Sequence, residues 1–115
     1  MKNLDCEMLH GNAETLVLAL LAEDEGYGYQ IRKDLATRSD QYFQFAFGRL
    51  YPLLQTLEQR GLAKSRWVKA GRIRKRKHYV ITARGLKALA ERKRKWRQFS
   101  EAMERVLSAQ TSGVS

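Results

Sequence analysis

The hydrophobic period of this chain changes at Gly61, and that change orders its parts. Before Gly61 the apolar residues recur at helical spacing: Leu50, Leu53, Leu54 and Leu57 form the i, i+3, i+4, i+7 stripe of an amphipathic helix. After it come two short stretches rich in Trp, Val, Tyr, Ile and Thr, residues 63–68 and 78–82, and then a long helical pattern. The two stretches flank residues 69–77 and read as a β-hairpin with a long, basic, glycine-containing tip. Three helices, a hairpin and a further helix predict a mainly α fold with a small β-hairpin. That order is a winged helix-turn-helix followed by a long C-terminal helix.

The elements can be placed more closely. Residues 4–24 read as a first helix, with Asn12 able instead to cap one starting at Ala13. Residues 15–23 are apolar nearly all round, so this helix is expected to be buried on most sides. Gly26-Tyr27-Gly28 breaks the pattern. A second helix spans 29–37, with Ile31 and Leu35 on one face, and a polar connection follows at 38–41. The third begins near 46–48 and stops at Gly61, which places Pro52 in or near its first turn. Thr82 is suited to cap a final helix from 83 to about 109. The division expected is a winged helix-turn-helix at 1–82, a dimerisation helix at 83–109 and a disordered tail at 110–115.

Charge narrows the partners. Lys and Arg number 22 against 12 Asp and Glu, a formal net charge of +10. Such a field attracts polyanions. Arg72, Arg74, Lys75, Arg76 and Lys77 put five of the positive charges into six residues of the hairpin tip. Concentrated there they repel one another, and phosphate binding relieves the repulsion with release of counterions. Cys6 is the single cysteine, so no internal disulfide can form and a cytoplasmic setting is expected. The longest apolar run, residues 16–22, is far short of the ~20 residues that cross a bilayer, so no membrane partner is expected. His10, His78 and Cys6 have no metal-ligand spacing, and the adjacent Asp24 and Glu25 point apart. Neither an enzyme nor a cofactor is expected.

The outer face of the third helix carries Arg49, Pro52, Gln55, Thr56 and Gln59, with Tyr51 at the boundary. Arg pairs with guanine O6 and N7, and Gln with adenine N6 and N7, so Arg49 and Gln55 are candidate DNA contacts in the major groove. In the last helix Leu89, Trp96 and Met103 are spaced by seven, as are Phe99 and Val106, and Leu86 and Leu107 extend the same side. A stripe this long outruns one small domain, so a homodimer interface is expected along it. Trp96 is also a candidate ligand contact, with Met8 lining the same space, because a flat aromatic fits between paired rings.

Taken in order, Leu16-Val-Leu-Ala-Leu-Leu21, Tyr27-Gly-Tyr-Gln-Ile31, Gly48-Arg-Leu-Tyr-Pro52, Leu57-Glu-Gln-Arg-Gly-Leu62, and Gly71-Arg followed by Lys77-His-Tyr-Val-Ile-Thr82 and Gly85 resemble the PadR-type transcriptional regulators. The single long final helix is similar to the short branch of that family. The resemblance implies a cytoplasmic, dimeric DNA-binding regulator, usually a repressor, that sits on a palindromic operator in double-stranded DNA and is often released by a small aromatic effector. It also implies DNA contacts at Tyr29, Arg49, Tyr51 and Pro52, supported by Arg72, Arg74, Lys75 and Lys77 of the wing. One departure stands out: the family usually has Ser or Thr after the motif glycine, where this chain has Arg49. The alternative is an RNA-binding or protein-interaction winged helix, which exposed aromatics among Tyr42, Phe43, Phe45 and Phe47 would favour.

Overall fold

A computed structural model of the protein describes residues 11–112. Among them lie four helices, α1 (Asn12–Glu23), α2 (Gly28–Arg38), α3 (Phe47–Gln59) and α4 (Ala83–Ser112). Three strands, β1 (Gly26–Tyr27), β2 (Ala63–Lys69) and β3 (Lys75–Ile81), form one antiparallel sheet in the order β1-β3-β2. This is the mainly helical winged fold that the sequence implies. Cys6, Met8 and His10, and any helix before residue 11, lie outside the described residues.

Several boundaries differ from the sequence reading. Gly11 occupies the cap position of α1 and Asn12 is its first helical residue, so Asn12 does not cap. Pro52 is the sixth residue of α3, not part of its first turn. Its missing N–H falls in the helix interior, where the Gly48 carbonyl would otherwise be the i−4 acceptor. The hairpin tip is shorter than expected because Lys75, Arg76 and Lys77 are in β3, paired with Lys69, Val68 and Trp67. The break at Gly26-Tyr27 is itself a strand, Gly26 lying opposite Tyr79 and Tyr27 opposite His78. The last helix runs to Ser112, past the end expected at 109.

The core joins the three helices of the reading head to the sheet and to the start of α4. Val17, Leu18, Leu50, Leu54 and Leu57 are fully buried, with Ile31, Leu35 and Phe45 against them. Side chains of this size contribute roughly 1.5–3 kcal/mol each when buried. Leu89 also enters this core, with 4% of its surface exposed. The seven-residue spacing predicts it at the dimer seam; the first two turns of α4 instead pack inward, and the spacing changes partner along the helix. Charge reinforces the packing. Glu14 of α1 accepts from Arg60 beyond α3 (3.1 Å) and from Arg92 of α4 (2.7 Å). That pairing leaves Arg92 half-buried.

One junction sets the direction of α4. The Thr82 N–H donates to the Leu62 carbonyl (3.1 Å) and its hydroxyl donates to the Gly61 carbonyl (2.7 Å). The same hydroxyl accepts the Gly85 N–H at 3.0 Å, the N-cap bond expected of Thr82. Gly85 can come this close only without a side chain, since a Cβ there would stand 2.0 Å from the Leu62 oxygen. Gly85→Ala should therefore lower unfolding free energy by about 3 kcal/mol, the upper range for overpacking. A Cβ added at Gly48, by contrast, would meet nothing within 4 Å. Gly48→Ala should raise stability by up to about 1 kcal/mol through helix propensity. Urea denaturation of both variants checks the opposite signs.

Candidate nucleic-acid interface

The start of α3 is held from behind. Ser39 closes the turn after α2: its hydroxyl donates to the Leu35 carbonyl (2.7 Å) and accepts the Phe43 N–H (2.8 Å). Phe45 is buried as an anchor, and the Arg32 Nε donates to its carbonyl at 2.6 Å. The Arg32 guanidinium lies 4.8 Å from the centre of the Phe47 ring. Ala46 supplies no side-chain cap, and its carbonyl accepts the N–H groups of both Arg49 and Leu50 at 3.0 Å. Arg49, Tyr51, Pro52, Gln55 and Gln59 are exposed along the helix. Thr56 is turned partly inward, with its hydroxyl on the Pro52 carbonyl (3.0 Å).

A run of aromatic rings connects this helix to the sheet. Tyr51 stacks on Phe47 (5.4 Å between centres), Phe47 lies beside Tyr29 (6.5 Å), Tyr29 beside Tyr27 (6.4 Å), and Tyr27 on His78 of β3 (5.4 Å). Arg76 covers the Tyr27 ring at 4.3 Å. Gly28 makes room for the run, because a Cβ there would lie 2.8 Å from the Tyr51 ring and hydroxyl. Phe43 and Phe47 are half-buried and Phe45 is buried, which leaves only Tyr42 of the lead-in aromatics exposed. Core packing thus accounts for most of that cluster.

Two carboxylates grip the wing from opposite faces. Glu58 of α3 accepts the Ser65 hydroxyl (2.6 Å) and pairs with Lys77 (3.7 Å). Glu25 accepts from Arg66 of β2 (2.7 Å) and meets the His78 Nδ1 of β3 (3.0 Å). The Arg66 hydrogen bond holds the Glu25 carboxyl below the ordinary carboxylate range against the opposing effect of burial, with a further lowering contribution from the His78 hydrogen bond. Beyond these clamps the tip turns at residues 70–74, closed by the Ala70 N–H on the Arg74 carbonyl (2.9 Å). Arg72 and Arg74 are exposed there on either side of Ile73, itself 91% exposed.

Between α3 and the wing lies an open groove of about 490 Å³. It brings together Tyr51, Pro52, Gln55, Lys75 and Lys77 from the residues singled out in the sequence. Tyr29 joins them through the ring stack, whereas Arg49 stands apart near the helix start and Arg72 and Arg74 at the tip. Sequence reasoning misses Trp67, Tyr27 and the placement of Arg76. The period-2 alternation of 63–68 puts Trp67 on the face of Ala63 and Ser65, which is the available signal. On α4, Leu86, Trp96, Phe99, Met103 and Val106 are all exposed, as is Leu107. No helix among the described residues is long and apolar enough to cross a membrane.

Residues 17–91 match the transcriptional regulator PadR-like family. Among solved structures, a PadR family transcriptional regulator from Eggerthella lenta is 34% identical, with TM-score 0.76 and coverage of 88% of this chain and 86% of that one. A PadR-like regulator from Bacillus cereus is 30% identical (TM-score 0.77; 88% and 96% covered). A transcriptional regulator from Clostridium thermocellum is 26% identical (TM-score 0.80; 86% and 96% covered).

The Glu25 clamp has a testable sign. A carboxylate whose pKa is lowered on folding adds stability above its unfolded pKa and loses it as pH falls through the folded one. Glu25→Gln should therefore speed amide hydrogen exchange in β2 and β3 at neutral pH and leave the core of α1 unchanged. The difference from the parent should shrink on acidification through and below the carboxylate range. Equal exchange in the wing at neutral pH would show that Glu25 does not clamp it.

Proposed function

The chain belongs to the PadR-like family of transcriptional regulators, DNA-binding proteins and not enzymes, and from that premise we propose that it is a cytoplasmic, dimeric repressor of a palindromic operator. The observation that carries this reading is the course of one apolar stripe. At 100° per residue, Leu89, Trp96, Met103 and Leu107 fall on one side of α4, flanked by Phe99 and Val106. The first part of that side is buried in the protomer and the rest continues exposed, Phe99 at 65% and Val106 at 70%. A second copy covers it most economically, since each such side chain contributes roughly 1.5–3 kcal/mol on burial. The division at residue 82 is thus functional rather than clean: the start of α4 belongs to the reading head and its remainder to the dimer arm.

In the dimer, two copies of α3 enter successive major grooves about 34 Å apart. Arg49 and Gln55 read base edges, and Tyr29, Tyr51 and Pro52 lie against the adjoining backbone. Arg72, Arg74, Lys75 and Lys77 meet phosphates, Lys77 leaving Glu58 to do so. Trp96 is the fourteenth of the thirty residues of α4, near its middle. A two-fold axis there would set it beside its mate, with space for a small aromatic effector between the rings. Met8, the other candidate for that space, lies outside the described residues.

Selection of bound sequences from random duplex DNA should return a palindrome. Arg49→Ala should then alter base preference or affinity at a defined position. Arg74→Ala should weaken all sites alike and flatten the slope of log affinity against log salt by about one. Trp96→Asp should convert the dimer to monomer by light scattering. A selection without symmetry, or a parent protein that is monomeric, would overturn the proposal.

A further inference from the structure

Trp67 is 63% exposed on β2, directly across the hairpin from Lys77. Lys69 and Lys75, the next pair on the same face, flank it toward the tip. On its other side the groove is closed by Tyr51, Pro52 and Gln55 of α3. Packing inside the protomer does not account for a large indole held open in this way. The surface that matches it alternates anionic and apolar groups at short intervals, and the sugar–phosphate backbone of a duplex has that character. We propose that Trp67 is a DNA-backbone contact, its ring covering a deoxyribose and its indole N–H donating to a phosphate, so that one strand is gripped between the wing and α3. The contact carries no sequence information. It fixes the register in which α3 meets the bases. This inference rests on the reading of the protein as a duplex-binding regulator.

The two tryptophans, Trp67 and Trp96, make the test internally controlled. In protein carrying 5-fluorotryptophan, a mixed-sequence duplex at low ionic strength should shift the ¹⁹F resonance of Trp67 more than that of Trp96. Trp67→Ala should weaken duplex binding about tenfold on every sequence, the scale of one charge-assisted contact. Its salt slope should be unchanged, because no charge is removed, whereas Lys75→Ala should flatten the slope by about one. Trp67→Phe keeps the ring without the donor and should recover part of the loss, which separates contact from a misfolded wing. If the duplex binds while the Trp67 resonance stays still and Trp67→Ala binds like the parent, this inference is wrong and the regulator reading survives. A greater dependence on Trp67 for single strands than for duplex would also overturn it, since base stacking would then be its role. Absence of any duplex binding by the parent removes both.

Discussion

The contact of Gly85 with the Leu62 carbonyl ties together four segments that would otherwise be free to pivot. Leu62 ends the connection from α3 and leads into β2; Thr82 leaves β3; Gly85 lies in the first turn of α4. With Thr82 bonded to both Gly61 and Leu62, the angle between the reading head and the α4 arm is set by backbone contact. In a dimer built along α4, that angle decides how far apart two recognition helices stand. A regulator that reads successive grooves needs this spacing to be stiff. Here the stiffness comes from a missing side chain and three hydrogen bonds of Thr82, with Leu89 and the Arg92–Glu14 pair bracing the helix a turn or two farther on.

Four acidic residues of this basic chain tie separate elements together. Glu14 joins α1 to α3 and α4; Glu25 and Glu58 hold the two faces of the wing; Glu23 pairs with Arg38 of α2. Exposed pairs of this kind add little stability one at a time. Their larger effect is on position and on the field. They sit where elements meet and none lies at the tip, where Arg72 and Arg74 are exposed. Lys77 is intermediate, paired with Glu58 yet lining the groove, so binding a phosphate there would require it to leave Glu58.

Much of this is legible in the residues, and the exceptions have physical causes. The Leu50–Leu54–Leu57 stripe of α3 is readable because burial on one face of a helix leaves a 3.6-residue period. The Thr82 cap is readable because capping chemistry is local. The wing tip reads too long because charge at Lys75, Arg76 and Lys77 masks a strand whose stability comes from pairing with Trp67, Val68 and Lys69, information held elsewhere in the chain. The two-residue β1 is too short to leave a period and exists through β3. Leu89 shares the spacing of Trp96 and Met103, and only the tertiary fold shows that the helix enters the core at one and has left it by the next. Trp67 gives little signal by itself because an aromatic residue in a strand ordinarily faces a core.

In the proposed dimer two reading heads, joined along α4, engage one duplex a helical turn apart. Hydroxyl-radical footprinting of the selected operator tests it most directly. Two protected blocks related by two-fold symmetry are expected, with centres about 10 base pairs apart. One isolated block, or protection without symmetry at saturating protein, would contradict it.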